Sequence, residues 1–527
     1  MVTLKDEEYE NIRRAAIAKD DKIAALEAEV QWFREQFNLA QRRLYGASTE
    51  QTAAILGQAG SLFNEAELTA DPEAPELDPE AKNEVAARTR NKKEKGQREA
   101  LFEGLPVEDV FHNLADDDLY CKTCSAPLHD MGADIRREIT IYPPRVVVTH
   151  IHTQKAVCDC CQREGRPHPI TQAYAPLPAF PKSMASPSSV AFAIMQKYVE
   201  GVPLYRQMAG YQRCGLNLSR QTLSNWVIAG ADLLGVVYNR MRSKLLSEKV
   251  LHADETPLQV LQSPSKTEAR MWLYCTGRDG PAIYIYEYQP GRGKQYPVEF
   301  LKEFEGWLHT DGYVGYTGIP GVTLSGCWAH ARRYYTDALS LLSPMMRQSV
   351  NTTARQGLFF CDRLFAVERQ IAGLSPQERL AARKSKSQPI IDEYHAWLQE
   401  SRPNVLPQSP TGKAISYSLN QWVKLTEFLN NGSLEISNNR AERAIKPFVI
   451  GRKNWLFCNS EGGAKASSTL YSIIETAKAN GIDPFNYLKY LFEMLPNLKW
   501  EDKTVDNLMP WCEGIQSKFA IPNKATQ

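Results

Sequence analysis

The sequence predicts a multidomain α+β protein whose central domain is a mixed β-sheet, with helical regions on either side of it. Four apolar runs of the kind that form strands lie between Leu251 and Tyr316, and a helical stretch from Gly293 to Phe304 separates the third run from the fourth. This order fits a sheet in which the first and fourth strands lie side by side. The chain of 527 residues is long enough for several domains, and its 43% hydrophobic and 23% charged residues are ordinary for globular proteins.

Two of the strand-like runs carry carboxylates where a site can form. The first run holds Asp254 followed by Glu255, and the fourth run ends at Asp311. Carboxylates at the ends of adjacent strands can share divalent ions, and hard ions such as Mg²⁺ prefer oxygen ligands. A site of this kind performs phosphodiester chemistry, so these acids are candidate catalytic residues and metal ligands.

The overall charge and the cysteine content narrow the class of protein. A formal net charge of +1 gives no argument for nucleic-acid binding, which would need local basic patches. No stretch has the apolar length of a membrane span, and the first residues do not resemble a signal peptide. Eleven cysteines in so long a chain predict reduced thiols or metal ligands, not a disulfide framework. We therefore expect a cytoplasmic protein without a membrane partner.

The amino-terminal region has the pattern of a coiled coil. In residues 1–46, apolar side chains alternate at spacings of three and four: Ile23, Leu26, Val30, Phe33, Phe37, Ala40 and Leu44. This pattern predicts a homodimer or a higher oligomer, whereas the alternative is one amphipathic helix that packs on its own domain. Residues 47–105 change to an acidic, Pro/Ala-rich and then basic composition, which predicts a flexible linker. The basic run could touch phosphates, but a solvated charge run is the commoner outcome.

Residues 106–170 predict a structural zinc site. Two C-x-x-C knuckles supply four thiols: Cys121, Cys124, Cys158 and Cys161. Four thiolates bind one Zn²⁺ tetrahedrally and leave no open position, so such an ion stabilises the fold and is not catalytic. Redox dithiols are the alternative, and Cys160 could take the place of the last ligand. The segment from Ile135 to Thr153 between the knuckles predicts two strands, as in a zinc ribbon.

Residues 171–245 have the spacing of a helix-turn-helix. A helical stretch from Leu204 ends at Gly215, and a second helix follows Ser219, which can cap it. The exposed face of the second helix is predicted to carry side chains that read bases and phosphates: Arg220, Gln221, Ser224 and Asn225. Many helical hairpins share this pattern without binding DNA, so the pattern alone leaves both interpretations open.

The strand-like region ends in a fifth strand that passes into a helix. Cys327 and His330 lie at this junction, and such a C-x-x-H pair either binds a metal or packs as a buried thiol beside a hydrogen-bonded imidazole. Arg332 and Arg333 open the helix and could hold phosphate.

Helical periodicity without strand patterns marks two further regions. Residues 336–430 predict an all-α insertion between the two parts of a catalytic core, residues 246–335 and 431–460. Residues 461–527 predict a helical carboxy-terminal module.

A third candidate acid, Glu442, lies in the second part of this core. Asn439 can cap a short helix that Pro447 ends, which would make Glu442 a capping-box residue or one half of an ion pair with Lys446. The alternative is that Glu442 joins the two aspartates as a third metal-associated carboxylate. The cations around it predict a surface that faces phosphate: Arg440, Arg443, Lys446, Arg452 and Lys453.

Taken in order, these motifs resemble those of the large DDE-type transposases of the insertion sequence 66 family. The motifs that carry the resemblance are Ala253-Asp254-Glu-Thr-Pro257, Asp311-Gly-Tyr-Val-Gly-Tyr316, Cys327-Trp-Ala-His330-Ala-Arg-Arg333, Asn438-Asn-Arg-Ala-Glu442-Arg443, Gly451-Arg-Lys-Asn-Trp-Leu-Phe457 and Thr476-Ala-Lys-Ala-Asn-Gly481. The similarity extends over nearly the whole chain and includes the amino-terminal zipper and the cysteine knuckles. One position departs from the family pattern, because Ser437 stands where members carry an acid, and Glu435 is a candidate to take its local role.

The resemblance implies a ribonuclease-H-like sheet with a helical insertion, in which Asp254, Asp311 and Glu442 form the catalytic triad. It implies two Mg²⁺ or Mn²⁺ ions held by the triad, in addition to the structural Zn²⁺. The implied partners are double-stranded DNA, both at the terminal inverted repeats of the element and at the target, a second copy of the chain, and small accessory proteins of the same element. A bacterial cytoplasmic location, with the protein associated with the nucleoid when bound to DNA, goes with this interpretation.

The activity implied by the resemblance is cleavage at the element ends, followed by joining of the 3′-hydroxyl ends to target DNA. Two other classes are alternatives. One is a DNA-binding regulator whose catalytic site is disused, although the presence of all three acids argues against it. The other is a metal-dependent nuclease that cuts DNA without joining it.

Overall fold

The computed structural model describes residues 145–156, 159, 163–164, 171–263, 268–342, 352–498 and 505–521. The chain divides into two compact units, and the described residues from 150 to 521 belong to one of them. Every helix and strand below belongs to that unit. Of the other unit the structure describes residues 145–149, which are exposed and lie outside any helix or strand. The predicted coiled coil, the linker and the four zinc-site cysteines lie outside the described residues.

A short antiparallel ribbon opens the described part of the larger unit, formed by β1 (Lys155–Ala156) and β2 (Thr171–Gln172). Two strands are predicted over Ile135–Thr153, and the prediction is wrong for the described part, because residues 145–153 contain no strand. The β-branched run there has the propensity of a strand, but Val148 is 86% exposed and Ile151 is 85% exposed. Strand propensity depends on packing against neighbours, and residues 145–152 are all exposed, so this described segment has no packed face.

Between β2 and the central sheet the chain forms four helices: α1 (Pro187–Tyr198), α2 (Leu204–Arg213), α3 (Arg220–Leu233) and α4 (Gly235–Leu246). The predicted turn between α2 and α3 is confirmed. Gly215 adopts a φ of +81°, and the Ser219 hydroxyl accepts the amide of Thr222 at 3.0 Å. Leu223 and Trp226 are buried, so the opposite face of α3 is turned towards solvent.

The centre of the unit is a five-stranded mixed sheet. Along the chain its elements are β3 (Val250–Leu258), the separate short β4 (Val260–Gln262), β5 (Ala269–Thr276), β6 (Tyr284–Gln289), helix α5 (Gln295–Phe300), β7 (Gly306–His309) and β8 (Val322–Ser325). The strand order is β6-β5-β3-β7-β8, in which β3, β7 and β8 are parallel and β5 runs antiparallel to both of its neighbours. The prediction that the first and fourth strands lie side by side is confirmed, because β3 pairs with β7.

After β8 the described chain is helical as far as residue 429, as its periodicity predicts. The elements are α6 (Trp328–Leu341), α7 (Thr353–Gln370), α8 (Pro376–Ala382), a π-helical segment (Arg383–Ser387), α9 (Gln388–Ser401), a 3₁₀ turn (Arg402–Asn404), α10 (Pro410–Asn420), α11 (Trp422–Thr426) and a 3₁₀ turn (Glu427–Leu429). The fully buried Arg383 guanidinium ties them together, because it pairs with Glu368 at 2.7 Å and donates to the carbonyls of Phe428, Asn431 and Leu434. All five of its N–H groups have acceptors, which offsets the cost of burying the charge.

The last elements are α12 (Asn439–Trp455), β9 (Cys458–Ser460), α13 (Glu461–Ala479), α14 (Pro484–Met494), a 3₁₀ turn (Leu495–Asn497) and α15 (Glu513–Phe519). β9 pairs with β4 in parallel. The prediction that Pro447 ends a short helix is wrong, because α12 continues through it to Trp455. A proline removes one helical hydrogen bond, and burial of Ala444, Ile445 and Phe448 where α12 packs on β3 and β5 offsets that cost. Among the described residues no helix is long and apolar enough to cross a bilayer.

Helix α13 covers the outer edge of the sheet at β6. An edge strand has backbone groups without a strand partner, which favour unwanted pairing with other chains. The Ser472 hydroxyl accepts the amide of Tyr286 at 2.8 Å, and the Thr476 hydroxyl accepts the amide of Tyr284 at 3.0 Å. Asn480, one turn further along the helix, donates to a carbonyl just before β6. Polar side chains spaced four residues apart along α13 therefore form hydrogen bonds with the backbone of every second residue along this edge.

Replacing Thr476 with valine is expected to lower the free energy of unfolding by about 1–3 kcal/mol. Valine keeps the β-branched shape but leaves the half-buried Tyr284 amide without its acceptor. The control Thr476→Ser retains the hydroxyl, so a smaller loss is expected. Urea unfolding of both variants measures the difference. A larger loss for Thr476→Ser than for Thr476→Val would show that methyl packing, and not the hydrogen bond, is the main contribution of this residue.

Candidate active site

Two parallel neighbouring strands carry the same short pattern, and their register brings its last residues together. β3 contains Leu251-His252-Ala-Asp254, and β7 ends with Leu308-His309, followed by Thr-Asp311. His252 lies opposite His309, and the two imidazole rings stack with centroids 5.0 Å apart and an interplanar angle of 1°. Side chains two residues apart along a strand point to the same face. Asp254 and Asp311 therefore emerge next to each other, at the point where β7 has just ended.

Glu255, the second acid of the β3 motif, has a structural role. Its carboxylate accepts hydrogen bonds from Arg292 Nε at 2.8 Å and from the Tyr316 hydroxyl at 3.1 Å. The Glu255 side chain is 2% exposed. The neighbouring Asp254 instead accepts one backbone amide, that of Glu255, at 2.9 Å. Asp254 is thus the acid of this pair that has no cationic partner among the described residues.

A tight turn after β7 holds Asp311. Its Oδ1 accepts the amide of Tyr313 at 2.9 Å, and Gly312 adopts a φ of +103°, a backbone conformation that favours glycine. The central carbon of the Arg292 guanidinium lies 4.0 Å from the Tyr313 ring centroid. From the helical region, the Tyr417 hydroxyl donates to the Asp311 carbonyl at 3.3 Å. The turn is therefore held both from the sheet and from the helices that follow it.

Glu442 lies in the first turn of α12, close to the start of α6. Its Oε1 is 3.7 Å from His330 Nδ1, and its Oε2 is 3.6 Å from the Arg333 guanidinium. Cys327, His330 and Glu442 each place one atom of a metal-binding type within 4.8 Å of the others. Within the described chain, His330 Nδ1 and Glu442 Oε1 are buried atoms without a hydrogen-bond partner. The Lys446 ion pair and the capping box considered for Glu442 are not observed in this part of the chain.

The three candidate acids share one electrostatic environment. The pKa of Asp254 is raised well above its usual range, first by burial and then by repulsion from Glu255, Asp311 and Glu442. Burial lowers the pKa of His330, against the attraction of Glu442. Carboxylates that repel one another, beside ligand atoms that lack hydrogen bonds, are a donor set that fits a divalent cation.

A buried hydrogen-bond network joins the start of α12 to β3. The Asn438 side chain donates to the Ala253 carbonyl at 2.8 Å and accepts from His252 Nδ1 at 3.1 Å. The Asn438 amide donates to Cys327 Sγ at 3.1 Å. The prediction that Asn439 caps α12 is wrong, because Asn438 precedes the helix and its side chain binds the sheet instead. The network fixes the position of the helix that carries the third acid.

Glu435 supplies the charged part of this network. Its Oε2 lies 3.0 Å from His252 Nε2 and 2.9 Å from Arg440 Nε, and its carbonyl lies 2.9 Å from His309 Nε2. Burial tends to raise the pKa of Glu435, but the hydrogen bonds from His252 and Arg440 outweigh it and hold this pKa well below its usual range. Burial, and next the neighbouring His252, lower the pKa of His309 to about 3, so its imidazole is neutral at physiological pH. The sequence-based predictions include Glu435 and Arg440 but not His252 and His309, although both histidines lie in a repeated Leu-His-x-Asp pattern.

The residues predicted to contact DNA fall into two groups. Seven are exposed: Arg220, Gln221, Asn225, Arg333, Arg443, Lys446 and Lys453. Four are half-buried: Ser224, Arg332, Arg440 and Arg452. The three arginines of the second group make contacts inside the protein: Arg332 binds Asp362 at 2.7 Å, Arg440 binds Glu435, and Arg452 donates to Thr256 at 3.4 Å. Their guanidinium groups are therefore less available to phosphate than those of the first group.

Replacing Asn438 with alanine is expected to lower the free energy of unfolding by about 2–4 kcal/mol, because the Ala253 carbonyl and His252 Nδ1 both lose their buried partner. The control is Asn439→Ala at the adjacent half-buried position, where a loss of about 0.5 kcal/mol or less is expected. Denaturant unfolding compares the two variants, and similar losses at both positions would contradict the role given to the network.

Comparison with known proteins extends over most of the chain. The family described as "Transposase IS66 family" matches residues 182–466, which is more than half of the chain. The descriptions "IS66 C-terminal element" and "Transposase C of IS166 homeodomain" match residues 472–511 and 32–110. The second of these lies where we predict the coiled coil and linker.

Relatives of similar length occur in Sinorhizobium fredii. Uncharacterized protein y4hP is 28% identical over 513 residues, which cover 91% of this chain and 89% of that protein. Uncharacterized protein y4qI is 29% identical over 398 residues, which cover 72% of this chain and 71% of that protein. With a family match that covers the sheet, the helices after it and all three acids, the chain belongs to the IS66 family of transposases.

Proposed function

We propose that this chain is a DDE transposase that binds the terminal inverted repeats of an insertion sequence, cleaves at the element ends and joins the 3′-hydroxyl ends to target DNA. The observation that carries the proposal is the convergence of Asp254, Asp311 and Glu442, which come from two strands and a helix far apart in the sequence. The order β6-β5-β3-β7-β8, with antiparallel strands on one side of β3 and parallel strands on the other, supports a ribonuclease-H-like fold.

The proposed cofactors are two divalent ions, Mg²⁺ or Mn²⁺, held by Asp254, Asp311 and Glu442. When bound, such ions supply Lewis acidity at the scissile phosphate and lower the pKa of the attacking water or 3′-hydroxyl. The fit is supported by the repulsion among the three carboxylates and by the buried Glu442 Oε1 without a hydrogen-bond partner among the described residues.

The chain's own residues would hold the DNA strand at the acids. Arg333 lies beside Glu442, and Arg443 and Lys446 are exposed on the same helix, so positive charge is available for the phosphates on either side of the scissile bond. Attack at phosphorus needs the nucleophile in line with the leaving oxygen, and the fixed Asp311 turn and α12 supply a rigid frame for that alignment. No covalent enzyme intermediate is needed.

Other parts of the chain are proposed to select and pair the element ends. The exposed Arg220, Gln221 and Asn225 of α3 suit contacts in a DNA groove. A zinc site at Cys121, Cys124, Cys158 and Cys161 would support the same region, and a coiled coil over residues 1–46 would bring two copies and two DNA ends together. Accessory proteins of the same element and a cytoplasmic, nucleoid-associated location complete the proposal.

Alanine substitution of each acid tests the catalytic assignment. Asp254→Ala, Asp311→Ala and Glu442→Ala are each expected to lower end cleavage and strand transfer at least about a hundredfold, because the loss of one ligand displaces the reacting groups. The assay uses paired terminal-repeat DNA ends and a target plasmid with Mg²⁺ or Mn²⁺, and it measures cut and joined products separately.

The matched control is Glu303→Ala, which removes an exposed acid from the same sheet domain and is expected to leave both products unchanged. Joining at the wild-type rate by the three acid variants would make the assignment wrong. A wild-type protein that cuts but never joins is a nuclease, and one that binds the repeats without cutting is a regulator.

A further inference from the structure

His330 contributes a ligand atom that the triad does not include. It lies on the first turn of α6, and its Nδ1 is 3.7 Å from Glu442 Oε1. Both atoms are buried, and neither has a hydrogen-bond partner among the described residues. Buried polar atoms are nearly always satisfied in folded proteins, so two unsatisfied ligand atoms that face each other call for an occupant between them.

The separation of these atoms suits a shared cation better than a direct hydrogen bond. A hydrogen bond would bring nitrogen and oxygen to about 3 Å. Two ligands that each lie about 2.1 Å from one ion are about 3.0 to 4.2 Å apart, depending on the angle at the ion. The observed 3.7 Å falls within that interval without movement of either helix.

Cys327, the third member of the cluster, is occupied in another way. Its sulfur accepts the Asn438 amide at 3.1 Å, and its side chain is fully buried at the start of α6. The sulfur therefore acts as an acceptor that holds α12 against α6, which leaves the imidazole and the carboxylate as the pair directed at a common point.

We propose that His330 Nδ1 and Glu442 Oε1 bind one divalent cation together, so that the ion on the Glu442 side of the site has a nitrogen ligand. Both ions bind carboxylates, but the transition-metal ion Mn²⁺ accepts an imidazole nitrogen more readily than the hard ion Mg²⁺, so this position prefers Mn²⁺ to Mg²⁺. The inference deepens the proposed function, on which it rests, by assigning a ligand outside the three acids.

The test measures metal binding and not only DNA joining. Full-length protein that carries one equivalent of Zn²⁺ per chain and no excess zinc is titrated with Mn²⁺, and free Mn²⁺ is followed by electron paramagnetic resonance. His330→Ala is expected to weaken Mn²⁺ binding at one site at least about tenfold, because even residues that merely orient a metal ligand contribute 10–100-fold in affinity. The control His395→Ala removes a half-buried histidine from the helical region and is expected to change nothing.

Pulsed resonance supplies a direct readout of the bound nitrogen. Bound Mn²⁺ in the wild type is expected to show spin-echo modulation from a coordinated imidazole nitrogen, and His330→Ala is expected to lose it. His330→Asp restores a ligand but with oxygen, so binding is expected to return while the preference for Mn²⁺ over Mg²⁺ falls. Recovery of that kind excludes a loss that comes from misfolding. Cys327→Ser is expected to retain the nitrogen modulation.

The outcomes separate this inference from the proposed function. If Mn²⁺ binds, Asp254→Ala weakens that binding, and the wild type shows no nitrogen modulation, the metal site stands and the role of His330 is overturned. If the modulation is identical in wild type and His330→Ala, the inference also fails. If neither ion binds the wild type with terminal-repeat DNA present, the proposed function itself fails.

Discussion

The parallel pairing of β3 with β7 is the constraint on which the site depends. It sets His252 opposite His309, and two residues later it delivers Asp254 and Asp311 to one face of the sheet. Because side chains alternate along a strand, a slip of one residue would send one aspartate to the opposite face. The stacked imidazole rings occupy the position just before the acids, so the packing that fixes the register also fixes the site.

The third acid is positioned by hydrogen bonds and not by strand register. A helix that lies across a sheet can slide and rotate unless directional bonds hold it. Asn438 provides these bonds, because its side chain binds both the Ala253 carbonyl and His252, while its amide binds Cys327. Hydrogen bonds in a buried network are strong and specific in direction. The same β3 residues therefore position one aspartate through the strand and Glu442 through the helix.

Much of this arrangement could be predicted from the sequence, and the failures have a common cause. The bounds of β5 and the neighbouring position of the first and fourth strands follow from local pattern, because strand propensity and burial agree there. Local rules for helix ends fail at Pro447 and Asn439, because tertiary packing carries α12 through the proline and Asn438 is the residue that precedes the helix. The partner of Arg440 was missed for the same reason, since Glu435 lies in the loop before the helix and not on its surface.

The distribution of arginines distinguishes acids that support the fold from acids available for chemistry. Glu255 is neutralised by Arg292, and Glu435 by Arg440, so both structural carboxylates have a cation of their own. Among the described residues neither Asp254 nor Asp311 has such a partner, and burial and mutual repulsion raise the pKa of Asp254. Acids that repel one another without a cationic partner lower the stability of the folded protein. A bound divalent cation would remove this repulsion. The folded chain thus favours occupation of this site by an ion, and this is the site at which we propose that the DNA backbone is cut.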